Sequence, residues 1–181
     1  MDTLRGQLLI AGPGLHDPNF HRTVILVGEH GGDDGALGVV LNRPAPLSVA
    51  EVVPPLAGLA GEGAPIFIGG PVQPQGIVLL AEFQDPADAD LLVFDSIGFL
   101  IGEVPSESAE GIRRARVFAG YAGWAPGQLE REVEEAAWII EAALPDDIFG
   151  GRPERLWSSV LDRKGGDFRL LATMPPDPSL N

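Results

Sequence analysis

Two apolar runs facing each other across a short loop restrict this chain more than any other feature of it. Thr23-Val24-Ile25-Leu26-Val27 is dense in β-branched residues and shows no polar alternation. A strand of that kind needs cover on both faces, which places it in the middle of a sheet. Gly31-Gly32-Asp33-Asp34-Gly35 then supplies a turn, and Ala36 to Leu41 reads as the returning strand.

The rest of the sequence offers further strands and helices. Gln7 to Ala11 is apolar and ends at Gly12-Pro13-Gly14, and Asp17-Pro18 continues the turn. Ile66-Phe67-Ile68, Gly76 to Leu80, Leu91 to Phe94 and Gly98 to Val104 are further strand candidates. Ser48-Val49-Ala50-Glu51 has the form of a capping box, and Pro54-Pro55 keeps the helix it opens short. The spacing of Leu129, Val133, Ala136, Ala137, Ile140 and Leu144 predicts a helix over 126–144, with Pro126 in its first turn and Pro145 ending it. A shorter helix is expected over 153–161, and Phe168 to Ala172 reads as a last strand. Strands cluster early and helices late, which favours α+β over a repeating βαβ pattern.

Composition narrows the function classes. The 181 residues suit one domain spanning residues 1–181. The 24 glycines and 17 prolines fall between apolar runs, so they mark turns and not a low-complexity tract. With no cysteine, disulfides, thiolate metal sites and a Cys nucleophile are excluded together. The start lacks the basic and apolar regions of a secretory signal, and no apolar stretch approaches the ~20 residues of a membrane helix. A cytoplasmic, non-membrane protein is expected. The net charge of −14 makes direct nucleic-acid binding unfavourable, because that affinity rests on neutralising phosphates. Lys164 is the single lysine, and the one local basic cluster, Arg113, Arg114 and Arg116, reads as a solvated helix face.

No familiar catalytic motif is present. There is no phosphate-binding loop of the G-x-x-x-x-G-K-[ST] type, and Gly12-Pro13-Gly14 lacks the third glycine of a dinucleotide fingerprint. The elbow G-x-S-x-G is missing, and Ser96 has no histidine nearby in sequence. Glu29, His30, Asp33 and Asp34 form an acidic turn without the register of a calcium loop, so neither a metal nor a cofactor is expected. Arg43 offers a planar fork for an anion or for a loop, and Arg22 offers the same, with an ion pair to Asp17 within the chain as the favoured reading. Tyr121 and Trp124, in Gly120-Tyr121-Ala122-Gly123-Trp124, form either one wall of a ligand pocket or a core turn beneath the following helix.

Several blocks resemble the YqgE/AlgH family: Gly6-Gln7-Leu8-Leu9-Ile10-Ala11, Asp17-Pro18-Asn19-Phe20, Arg22-Thr23-Val24, Glu29-His30 and Gly38-Val39-Val40-Leu41-Asn42-Arg43-Pro44. Gly69-Gly70-Pro71-Val72, Gly120 to Trp124, Gly127-Gln128-Leu129-Glu130, Trp138, Phe149, Leu156-Trp157 and Asp177 to Asn181 continue the match in order. Ala81 stands where members often carry a histidine. The resemblance implies a strongly twisted, partly barrel-like mixed sheet with flanking helices. It implies no established reaction, and one branch carries a name tied to transcriptional control.

These readings lead to a regulatory module that binds a small ligand or a protein partner through Glu29, His30, Asn42, Arg43, Tyr121 and Trp124. The alternative is a hydrolase-like enzyme with His30 as general base and Arg43 holding an anionic substrate, which requires both to face one cleft. Transcriptional control, if exercised, would act through a protein partner. Oligomeric state is not legible.

Overall fold

A computed structural model describes residues 2–102 and 109–176. Among the described residues, ten strands form one extended sheet. In chain order they are β1 (Gln7–Ala11), β2 (Val24–Gly31), β3 (Gly35–Val40), β4 (Pro44–Ser48), β5 (Pro65–Ile68), β6 (Val72–Phe83), β7 (Leu91–Phe94), β8 (Ile97–Leu100), β9 (Ile112–Trp124) and β10 (Trp138–Ala142). The main path runs β10-β1-β2-β3-β9-β6-β8-β7, with β4 and β5 leaving it beside β9. Every pairing is antiparallel except β5 with β9. The helices are α1 (Val49–Val52), α2 (Ala57–Ala60), α3 (Gln128–Glu134), α4 (Pro145–Phe149), α5 (Leu156–Lys164) and α6 (Phe168–Ala172). The architecture is α+β, and the sheet does not close into a barrel.

The hairpin of β2 and β3 forms as its two apolar runs require, with Val24 to Val27 fully buried at the centre of the sheet. The capping box also forms: Ser48 Oγ accepts from the Glu51 amide, and the Glu51 carboxylate accepts from the Ser48 amide at 2.8 Å. The Glu51 carboxyl is held below its ordinary range by those bonds from the Ser48 backbone and then its hydroxyl.

Three expectations are corrected. The long helix over 126–144 is a short helix, α3, followed by a turn with Ala136 at φ 58° and then strand β10. Trp138, Ile139 and Ile140 pair with the outer edge of β1, and completing that ladder outweighs the helical spacing of the apolar residues. Pro145 accordingly opens α4 and ends no helix, while the Asp147 carboxylate accepts from the Leu144 amide at 2.7 Å. Phe168 to Ala172 is helix α6, packed on α5 and not paired to the sheet. Arg113, Arg114 and Arg116 belong to no helix; they lie on β9, the longest strand. There Arg114 bonds Glu82 across the ladder at 2.7 Å and Arg116 lies 4.6 Å above the Phe67 ring. Burial lowers the Arg116 pKa. The expected strand over 98–104 is β8 and ends at Leu100, its last two positions lying outside the described residues, as does the matched ending 177–181.

Three apolar clusters flank the sheet. One, with Leu26, Val39, Leu80, Phe99 and Phe118, is covered by α4 and α5 through Ile148, Trp157 and Val160. A second, with Ile25, Val27, Trp124 and Trp138, is covered by α3 through Leu129. The third lies beneath α1 and α2, around Val49, Phe83 and Val117. The outer edge of β10 is capped: Lys164 Nζ donates to the Ile140 carbonyl at 2.7 Å and Arg163 Nη2 to that of Ala142 at 3.1 Å. Basic side chains there blunt an edge that would otherwise invite a further strand.

Candidate functional site

The sheet curls so that β7 approaches β2, yet no ladder joins them. A cavity of about 320 Å³ opens at this unclosed seam, and a second of about 320 Å³ adjoins it over β3 and β9, the two sharing Glu29, Leu37 and Tyr121. One is apolar, with Ile77 and Val78 of β6, Leu91 of β7, Phe99 of β8 and Ile101 just beyond it. The other continues past Val72 and Trp124 to Asp34. Leu37, Ile77 and Ile101, three of the exposed large apolar side chains among the described residues, all stand on this groove.

A single irregularity in β2 builds the polar rim. Val27 pairs with Gly38 and Glu29 with Leu37, so Gly28 is an extra residue in the strand. A bulge of this kind resets the alternation of side chains. Gly28 is a glycine because the Phe99 ring occupies the place of a side chain; a Cβ there would lie 2.6 Å from Cε2. Past the bulge Glu29 turns to the groove and His30 turns away, toward α3. A second irregularity shapes the far wall: Val72 pairs with Tyr121 but Ile77 with Ala119, so residues 73–76 loop out and bring Gln73 and Gly76 to the groove.

The glycines of the two matched blocks make the backbone crossing behind Tyr121. Gly120 has φ 74°, and a Cβ on it would lie 2.4 Å from the Gly70 carbonyl oxygen. A Cβ on Gly70 would lie 2.2 Å from the Tyr121 backbone. Tyr121 and Trp124 therefore occupy the end of a strand, and no loop is present there.

Of the six residues singled out from the sequence, Glu29, Tyr121 and Trp124 meet in one cavity. His30, Asn42 and Arg43 do not line it. The His30 side chain is 5% exposed, its Nδ1 accepts from the Leu4 amide at 3.0 Å and its Nε2 donates to Glu130 at 2.9 Å. The Glu130 carboxyl is held below its ordinary range, first by its own backbone amide and then by His30. Asn42 ties β3 to β2, donating to the Arg22 carbonyl at 2.9 Å and accepting from the Val24 amide at 2.9 Å. Arg43 donates to the carbonyls of Pro18, Asn19 and His21, clamping the loop before β2; burial lowers its pKa and Asp17 opposes that shift. His30 and Arg43 thus share no cleft. Trp124 is 6% exposed, and Glu132 accepts from both its indole N–H at 2.9 Å and that of Trp138 at 2.8 Å.

Arg22, at φ 54°, stacks 4.2 Å from the Trp157 ring and donates to the Met174 carbonyl, so its partner is not Asp17. Sequence reasoning missed Leu37, Ile77, Phe99 and Ile101, because only the curl of the sheet assembles them. Gly28, directly after the β-branched run and within the same strand, was the one available signal of a bulge. Among the described residues no three of His, Asp or Glu converge on a point that would hold a metal. No helix among the described residues is long and apolar enough to cross a membrane.

A large curled antiparallel sheet with short covering helices and a groove at its unclosed seam defines the class. The chain belongs to the AlgH-like family, whose pattern matches residues 8–169. It is 44% identical to a UPF0301 protein of Streptomyces coelicolor, over 100% of this chain and 97% of that one. A UPF0301 protein of Mycobacterium tuberculosis is 40% identical, with 97% and 90% covered. Among solved structures, protein DIP2367 of Corynebacterium diphtheriae superposes with a TM-score of 0.86 at 29% identity, covering 96% of this chain and 94% of that one. The solution structure of the AlgH protein of Pseudomonas aeruginosa gives 0.69 at 32% identity, covering 95% and 94%.

Proposed function

We propose that this protein is a small-ligand-binding module and that the groove at the seam is its binding site. The observation that carries the reading is the pair of adjoining cavities sharing Glu29, Leu37 and Tyr121, rimmed by exposed apolar side chains. Concave apolar sites with a few polar groups at one end are the usual form of such sites. The residues with acid–base or anion-holding chemistry, His30 and Arg43, are engaged elsewhere, which supports binding over hydrolysis. Any regulatory role, transcription included, would then follow from occupancy of the groove and pass to a protein partner.

The test is fluorescence titration with Nile red, a neutral apolar dye. The wild type is expected to bind it saturably at one site, and Leu37→Gln or Tyr121→Ala to weaken that binding about tenfold while leaving the unfolding midpoint within a few degrees. Saturable binding unaffected by either substitution would refute the assignment.

A further inference from the structure

The groove has a chemical polarity along its length. Its apolar part is walled by Val39, Ile77, Val78, Leu91 and Phe99. At the other end stand two carboxylates, Glu29 on β2 and Asp34 in the turn before β3. Neither residue is engaged in an ion pair among the described residues. No lysine, arginine or histidine lines either cavity. Tyr121 lines both cavities, and so stands where the apolar part gives way to the acidic end.

We propose that the ligand is a small cationic amphiphile: an apolar chain or ring system ending in an ammonium group. This rests on the reading of the groove as a binding site. The apolar portion would displace water from Leu37, Ile77 and Phe99, and the positive end would lie between Glu29 and Asp34 beside the face of Tyr121. A cation at such a place gains from two carboxylates and from the ring quadrupole together. An anionic amphiphile of the same length would meet the same carboxylates as repulsion. Exposed ion pairs contribute modestly, so the two carboxylates together correspond to about a tenfold preference for cation over neutral ligand.

Three probes of equal chain length, each below its micelle concentration, separate the two ideas: octyltrimethylammonium, octyl glucoside and octanesulfonate, followed by calorimetry at physiological salt. Because the protein carries a net charge of −14, non-specific attraction must be subtracted. Glu62→Gln/Glu154→Gln, on two exposed residues outside the groove, serves as the charge-matched control. The expected result is saturable binding of the ammonium probe about tenfold tighter than the glucoside, with that preference lost in the Glu29→Gln/Asp34→Asn double variant and kept in Glu62→Gln/Glu154→Gln. Equal affinity for ammonium and glucoside, both weakened by Leu37→Gln, would overturn the cationic ligand and leave the groove reading standing. An equal loss in Glu62→Gln/Glu154→Gln would also overturn it, since attraction to the whole acidic surface would then suffice. Absence of saturable binding by all three, together with a concentration-dependent dimer broken by Ile101→Asp, would overturn both and assign the groove to a second copy of this chain.

Discussion

Arg43 offers the sharpest separation between a residue that holds a ligand and one that holds the fold. Its guanidinium donates to three backbone carbonyls, those of Pro18, Asn19 and His21, and so anchors the loop that leads into β2. Hydrogen bonds from charged donors contribute about 1.5–3 kcal/mol each where water is excluded. These lie near the surface, and water would take up the freed carbonyls in the Arg43→Ala variant. The neutral exposed value of about 0.5–1 kcal/mol per bond is therefore the fitting one, giving a loss of roughly 2 kcal/mol. For a chain of this length that corresponds to a midpoint lower by about 4–8 °C. Urea unfolding followed by circular dichroism measures it. Arg43→Lys should recover less than half, because an ammonium cannot present a planar fork to three carbonyls at once. Probe binding in the groove should be unchanged in both variants. A stability within about 0.5 kcal/mol of wild type, combined with lost ligand binding, would refute the clamp and restore Arg43 to the site.

Glu132 accepts from two indoles at once, so Glu132→Ala should destabilise by about 2–3 kcal/mol and red-shift the tryptophan emission, as read by fluorescence during unfolding. Gly120→Ala places a Cβ against the Gly70 carbonyl at a positive φ; a loss above about 3 kcal/mol or insoluble expression is expected, judged by soluble yield and thermal shift. The Glu130 carboxyl has its folded pKa below the ordinary range, so its contribution is present at neutral pH and is lost as pH falls through the folded value. Comparing the acid limb of the melting temperature in wild type and Glu130→Gln checks the sign: the variant should show the smaller drop.

The central hairpin was readable because its runs are apolar throughout, and only a strand covered on both faces tolerates that. The capping box at Ser48 and Glu51 was readable because its partners are three residues apart and need nothing from the rest of the chain. The residues 126–144 were misread for the opposite reason. Leu129, Val133, Ala137 and Ile140 satisfy a helical stripe, while Trp138, Ile139 and Ile140 equally satisfy a strand, and the open edge of β1 decides between them. The arginines of β9 look like a polar helix face until Glu82 and Phe67 are seen across the ladder.

The sequence by itself determined the family, the α+β class, the buried centre of the sheet and the acidic surface, because these depend on composition and on patterns repeating every two or four residues. Which side chains meet in the groove was decided by tertiary structure alone. Glu29 and His30 are neighbours on a strand and so face opposite sides in any case, but the extra residue at Gly28 decides which takes which side, Glu29 the groove and His30 that of Glu130. Strand alternation propagates such a shift to every residue beyond it, and the ring of Phe99, seventy-one positions later in the chain, is what occupies the space a side chain at Gly28 would need.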